Sequence, residues 1–159
     1  MPITEGKMKL AEALVLRADS QKRIEQLQQR LIQNAKVQAD DQPAENPEIL
    51  QQELEQLAQE LVLLIQRINR TNSRTELEAG MSIADALAAR DVTKLKSDIY
   101  RNLAQAAIVK QDRQTKSEIK FQSTIQVAEV QRKADQLAKE HRQLDTRVQQ
   151  ANWQTELED

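Results

Sequence analysis

A polar cluster follows the last leucines of a long predicted helix, and its residue types suit the binding of an anion. The cluster contains Arg67, Asn69, Thr71 and Asn72. Arginine presents a planar fork of N–H donors that matches a phosphate or a carboxylate. A second interpretation is that these side chains pair with neighbouring helices and fix their register, as polar residues do in coiled coils. Both interpretations stay open here, and we favour the second.

More polar residues would join this cluster if the helices of the chain pack alongside one another. Under the register interpretation we expect Arg67 to pair with Asp145, because an arginine and an aspartate on facing helices form a charge-assisted hydrogen bond. Under the anion interpretation the same group would surround a small anionic ligand such as a nucleotide. The additional candidates are Arg90, Asp91, Arg142, Asp145, Arg147 and Asn152.

Motifs for catalysis or for metal binding are missing from the sequence. His141 is the only histidine, and Ala138 stands where a Glu-x-x-His metal motif would need a glutamate. The chain has no cysteine, no Gly-x-Ser-x-Gly motif and no glycine-rich phosphate loop. We therefore predict no catalytic residue, no metal and no cofactor. Whether the protein is an enzyme remains undecided, with a non-enzyme favoured.

The composition indicates an all-α protein. Of 159 residues, 39% are apolar, 30% are charged and 2% are aromatic, and there are two glycines. Sheet-rich domains use more aromatic and turn residues than this. A net charge of −2 gives no reason to expect a nucleic-acid partner. No apolar run approaches the roughly 20 residues that cross a bilayer, and no secretory pattern opens the sequence, so we expect a cytoplasmic protein without membrane contact.

Two stretches repeat apolar residues with alternating spacings of three and four, which is typical of long helices packed side by side. We predict a single domain built as an antiparallel bundle of coiled-coil hairpins. Its four helices span about residues 7–38, 48–77, 83–112 and 125–151, after a flexible leader at 1–7 and with a linker at 39–47. The repeats are Leu50, Leu54, Leu57, Leu61, Leu64 and Ile68, and then Val127, Val130, Ala134, Leu137, His141, Leu144, Val148 and Ala151.

Several signals mark the helix ends. Asn46 before Pro47 predicts a helix start, and Ser82 with Asp85 three residues later predicts a capping box. Gly80 is the natural stop of the second helix. The third helix has a potential break near Asp91. Its predicted inner face is Ile83, Leu87, Leu95, Ile99, Leu103 and Ala106.

Residues 117–125 alternate between apolar and polar side chains, as a strand does. No second strand is evident in the sequence. The segment is therefore either an intersubunit strand or an extended loop that carries Phe121 against the helices.

Short segments in the same order resemble those of a family of small bacterial proteins often labelled "septicolysin". The likeness extends from about Met8 to Leu157. It implies a helical bacterial protein without an established biochemical function, and the residues themselves give the cytolysin label no support. The segments are Met8–Leu14, Arg67–Asn72, Ala86–Asp91, Ser117–Lys120, Leu144–Arg147 and Asn152-Trp153.

These observations predict an oligomeric structural or interaction protein of the bacterial cytoplasm. Leu63 and Ile65 widen the apolar face of the second helix beyond its repeat, so a homo-oligomer is expected. The alternative is an anion- or nucleotide-binding protein, or a hydrolase, that uses the Arg/Asn/Thr cluster.

Overall fold

The protein is all-α. A computed structural model describes residues 7–109 and 120–159. Its described part contains four long helices and a small two-stranded sheet. In chain order the elements are α1 (Leu10–Gln33), α2 (Pro47–Arg74), β1 (Glu76–Glu78), β2 (Met81–Ser82), α3 (Ile83–Ala106) and α4 (Val127–Gln154).

The described residues divide into two compact units. Unit 1 comprises the residues up to Glu76 together with Gln149–Asp159, and unit 2 comprises those from Leu77 to Val148. Within the predicted extended segment, residues 117–119 lie outside the described part. Residues 120–125 form no strand.

The helix starts follow the capping residues in the sequence. The Asn46 side chain accepts a hydrogen bond from the Glu48 amide at 2.9 Å, ahead of Pro47 in the first helical position. The Ser82 hydroxyl accepts from the Asp85 amide at 3.1 Å, while the Asp85 carboxylate accepts from the Ser82 amide at 3.0 Å. Both predicted caps are confirmed, because a free helical amide needs such an acceptor.

Gly80 does not end a helix, so that prediction is wrong. Helix α2 ends at Arg74, and Thr75 after it is already extended. Gly80 lies instead in the turn between β1 and β2 with a φ of +80°. That backbone conformation is left-handed and favours glycine, which is why a glycine also suits a tight hairpin turn.

Unit 1 has a leucine core between α1 and α2. Leu27, Leu50 and Leu57 are buried together. Partly buried apolar residues surround them, and these are Ile24, Leu31 and Leu54. The spacing of the leucines in the second predicted helix is thus confirmed as the spacing of a packed face.

The linker at residues 39–47 is held by polar contacts to the C-terminal end of α1. Arg30 donates to both carboxylate oxygens of Glu45, and it also reaches Glu53 at 3.5 Å. The Asn34 side chain accepts from the Glu45 amide at 2.9 Å. These contacts fix the connection between α1 and α2.

In unit 2, helix α3 buries mainly small residues. On α3 the buried positions are Ile83, Ala86, Ser97 and Ala104. Ile83 is buried as predicted, but the predicted inner residues Leu95, Ile99 and Leu103 are exposed. The predicted inner face of the third helix is therefore wrong over most of its length.

Close approach of α3 and α4 explains this arrangement. The Ser97 hydroxyl donates to the backbone carbonyl of Ala134 at 3.0 Å. The serine side chain is short, so its hydroxyl reaches the backbone of a neighbouring helix only where the two helices come close, and Ala134 is itself buried. Helix α3 also continues through Asp91, which does not start a new helix.

Candidate functional site

Residues Thr155–Asp159, called here the acidic segment, follow α4 in extended form. The Leu10 amide donates to the Thr155 carbonyl at 2.9 Å, and the Leu157 amide donates to the Met8 carbonyl at 2.8 Å. An antiparallel β-bridge joins Lys9 and Glu156. Leu157 lies between acidic neighbours and is buried. The segment is thus paired by its backbone to the residues just before α1.

The polar cluster at the end of α2 contacts the same segment. Arg67 donates to the Glu158 carbonyl and to the Asp159 carboxylate, each at 3.0 Å. Arg74 donates to the Glu158 carboxylate, also at 3.0 Å. The Thr71 hydroxyl accepts from the Glu158 amide at 3.0 Å and donates to the Arg67 carbonyl at 2.8 Å. Two arginines therefore hold carboxylates supplied by the chain itself.

Thr71 is central to this arrangement because its side chain is fully buried. Its hydroxyl is one of the few polar groups that the core of unit 1 contains, and both of its hydrogen bonds are satisfied by the backbone. A buried hydroxyl without partners would destabilise the fold. The acidic segment supplies one of those partners.

Unit 1 contains three further residues of the predicted cluster, Asn69, Asn72 and Asn152. Asn69 is exposed, and its carbonyl accepts a hydrogen bond from the Ser73 hydroxyl at 2.9 Å. Asn72 is half-buried, while Asn152 is buried near the end of α4.

Asp145 pairs with Arg90, in place of the predicted Arg67. Within unit 2, Arg90 donates to Asp91 and to Asp145 at 3.0 Å each. Partial burial lowers the pKa of the Arg90 guanidinium, but the hydrogen bonds and charges of Asp91 and Asp145 outweigh burial, so the net shift is upward. This triad links α3 to α4 and holds the arginine fully charged.

The remaining predicted residues lie elsewhere in unit 2. Arg147 forms an ion pair with Glu78 of β1. Arg142 is exposed and lines a small cavity with His141. The other residues of that cavity are Lys94, Ser97, Asp98, Arg101 and Ala138. The candidate residues of the sequence therefore occupy several separate places.

Asp98 neutralises part of the positive charge at this cavity. Lys94 donates to Asp98 at 2.9 Å, and Arg101 donates to it at 3.1 Å. The hydrogen bond from Lys94 is the largest cause of a lowered pKa at Asp98. Across residues 7–109 and 120–159, no group of three or more histidines and carboxylates is arranged to hold a metal ion.

An apolar stripe runs along the exposed face of α3. It consists of Val92, Leu95, Ile99 and Leu103, called here the α3 stripe, and each of these side chains is more than two-fifths exposed. Their spacing of three, four and four keeps them on one side of the helix. That side is opposite Ser97 and Ala104, which are buried.

Charges of opposite sign flank the α3 stripe. At 100° per residue, Asp91 lies on one flank and Lys96 on the other, and both are exposed. This is the arrangement that coiled coils use at the edges of an apolar seam.

The comparisons with known proteins place the chain in a family. It belongs to a family of unknown function (DUF6847), whose model matches residues 17–157. The chain is also similar to the protein in the "Crystal structure of a functionally unknown conserved protein from Corynebacterium diphtheriae". The two share 49% sequence identity over 96% of this chain and 100% of the other, with a TM-score of 0.89.

A search of curated proteins gave no match. The name septicolysin does not occur in these findings, so the resemblance extends to an uncharacterised family and not to that label. Within the described ranges, no helix combines the length and the apolar character that a membrane span requires.

Sequence reasoning missed two features. One is the acidic segment with its partner Arg74. The acids around Leu157 were a usable signal, since an acidic run with one central leucine suits a basic surface with an apolar recess. The other is the α3 stripe, because the sequence analysis places Leu95, Ile99 and Leu103 on the inner face and does not single out Val92.

Proposed function

We propose that the protein is a homo-oligomeric interaction protein of the bacterial cytoplasm, whose subunits join through the α3 stripe. The α3 stripe carries this proposal, because four large apolar side chains exposed side by side on one helix are unusual for a monomer. A helix presenting such a stripe is stabilised when a second helix covers it.

A second copy of this chain fits the flanking charges. Two α3 helices that pair in parallel and in register bring opposite flanks together. Asp91 of one copy then faces Lys96 of the second copy, and the reciprocal pair forms by symmetry. Antiparallel pairing would bring like flanks together and set like charges opposite each other. The charge pattern thus favours a parallel, two-fold symmetric pair.

Sedimentation velocity tests this interface. We expect wild-type protein at micromolar concentration to exceed the 18.2 kDa of one chain. Leu95→Glu should shift it to that monomer mass, because the charge sits in the middle of the covered stripe. Leu63→Glu on α2 is the matched control, since Leu63 is 61% exposed and Leu95 is 60% exposed. A wild-type monomer, or equal loss of mass in both variants, would refute the interface.

A charge exchange tests the direction of pairing. Asp91→Lys and Lys96→Asp should each weaken association by about tenfold, because each change removes two symmetry-related ion pairs and replaces both with like charges, at roughly 0.2–0.5 kcal/mol for each loss or repulsion. Asp91→Lys also removes the bond from Arg90, so its melting temperature is measured alongside. The double variant should recover most of the loss, because it restores opposite charges across a parallel pair. Additive weakening in the double variant would contradict the parallel arrangement.

A second candidate function, anion binding at the end of α2, rests on one observation. Arg67 and Arg74 each hold a carboxylate oxygen at 3.0 Å. Phosphate added at constant ionic strength should raise the melting temperature of the wild-type protein and leave Arg67→Ala unchanged, because a ligand stabilises only the state that binds it. An equal response of both proteins would exclude an inorganic anion as the ligand.

A further inference from the structure

The acidic segment is held in the manner of a bound peptide. Its backbone forms hydrogen bonds with Met8 and Leu10 on one side and with Thr71 on the other. Between these contacts the Leu157 side chain is only 3% exposed. Proteins that bind an extended peptide as an added strand use the same two kinds of contact. Main-chain hydrogen bonds hold the peptide backbone, and pockets accept its alternate side chains.

The side chains around the segment select for negative charge. Lys9 lies 3.8 Å from the Glu156 carboxylate. Arg74 and Arg67 hold Glu158 and Asp159. Every acidic residue of the segment therefore has a basic partner, and the leucine between them fills the apolar position.

We propose that this groove, formed by residues 8–10 with Arg67, Thr71 and Arg74, is a peptide-binding site for a partner protein. Its ligand is an extended segment with an acid, a leucine and two further acids in succession. Residues Thr155–Asp159 are the built-in occupant, and a partner segment of the same chemistry replaces them. The inference is independent of the α3 stripe and develops the second candidate function by naming a peptide as the anion.

The contacts of the built-in occupant are of a kind that can be exchanged. Two of its ion pairs involve well-exposed groups, since Asp159 is 98% exposed and the Arg74 side chain is 65% exposed. Such pairs are weak and are screened by salt. A partner segment makes the same contacts, so it replaces the built-in segment where its local concentration exceeds the effective concentration of that segment.

Direct peptide binding tests the proposal. The protein variant lacks residues 155–159, and the probe is a fluorescent peptide with the sequence Thr-Glu-Leu-Glu-Asp. We expect saturable binding to this variant below about 1 mM, the range of short peptide ligands. Full-length protein should bind at least about tenfold more weakly, because its own segment competes from a high effective concentration.

Two controls separate recognition from nonspecific attraction. Arg67→Ala within the shortened variant should weaken binding by about tenfold, because it removes the hydrogen bond to the Glu158 carbonyl as well as the weaker pair with Asp159. A peptide with aspartate in place of leucine should bind no better than background. Equal binding of the two peptides, or none to a folded shortened variant, would overturn the proposal.

A second protein variant covers the case in which the shortened chain does not fold. Full-length Leu157→Ala keeps the acidic segment but weakens the binding of that segment to the groove. This variant should therefore bind the probe more tightly than the wild-type protein does. Failure of both variants to bind would overturn the peptide site. A phosphate effect on wild type alone would still leave anion binding in place, so the two hypotheses fail separately.

The mass of the shortened variant distinguishes the source of the ligand. If two copies of the chain exchanged their acidic segments, removing the segment would lower the oligomer mass, and that result would overturn the partner protein as ligand. An unchanged mass together with peptide binding supports it.

Discussion

The seam between α1 and α2 and the inner face of α3 bury side chains of different size. The seam between α1 and α2 holds the large residues Leu27, Leu50 and Leu57. The inner face of α3 holds small residues along most of its length, among them Ser97 and Ala104. Both regions have large apolar residues at helical spacing, yet the α2 leucines at 50 and 57 lie inside, while Leu95, Ile99 and Leu103 of α3 lie outside. The difference shows that a helical repeat identifies an apolar face and leaves its partner undetermined.

The consequence is different in each unit. Removing volume should harm unit 1, and adding volume should harm the α3 seam, because close-packed interiors tolerate neither a cavity nor an excess atom. Each prediction below tests one side of this contrast.

The largest effect is expected from Leu57→Asp on α2. Leu57 is 6% exposed in the leucine core, so the change places an unpaired charge there. It should cost several kcal/mol against a typical total of about 5–15 kcal/mol, and unit 1 should lose cooperative unfolding. Thermal unfolding followed by circular dichroism measures this. Leu63→Asp on the same helix is the control and should melt close to wild type.

Leu27→Ala on α1 should have the next largest effect. The change removes a fully buried side chain from the same core and leaves a cavity, which costs about 2–5 kcal/mol. Urea unfolding gives the loss of free energy. Leu16→Ala on the exposed side of α1 should cost less than about 1 kcal/mol. If the two variants were equally stable, the leucine seam would not be the core of unit 1.

Ser97→Leu on α3 tests the opposite change, an increase in the volume of a buried side chain. A larger side chain at this position must push α3 away from the carbonyl of Ala134, and overpacking of this kind costs about 1–3 kcal/mol. Ala128→Leu on an exposed position of α4 is the control and should be nearly neutral. A stabilised Ser97→Leu protein would show that the α3 seam has unfilled space.

Local signals in the sequence predict much of the fold. The Asn46 and Ser82 caps depend on residues within three positions, so they are readable without tertiary knowledge. The α2 leucines are also readable, since their repeat covers nearly the whole helix. The role of Gly80 cannot be predicted in this way, because a glycine suits both the end of a helix and the turn of a hairpin.

The site was less predictable, for a physical reason. Arg67 is separated by about 90 positions from its partners Glu158 and Asp159. Whether Arg67 pairs with these residues or with Asp145 depends on where the segment after α4 lies relative to α2. The orientation of α3 likewise depends on the close approach of Ser97 to α4, and the spacing of apolar residues in the sequence does not predict that contact. Long-range pairings of this kind need the structure.

The smallest effect concerns acid. The hydrogen bond from Arg30 is the main cause of a lowered pKa at Glu45 in unit 1, and the Ser82 hydroxyl is the main cause at Asp85 in unit 2. A carboxylate with a lowered pKa adds stability above its unfolded pKa, and this contribution disappears as the pH falls through the folded value. The unfolded values are about 4, so the loss should appear between about pH 5 and pH 3. Urea unfolding across that window should show a shallower decline in Glu45→Gln and in Asp85→Asn than in wild type. Because Asp85 is exposed and Glu45 is only half-buried, their effects should be smaller than that of any packing change above. An acid dependence that is unchanged in both variants would assign the decline to other groups, with Asp98 the next to test.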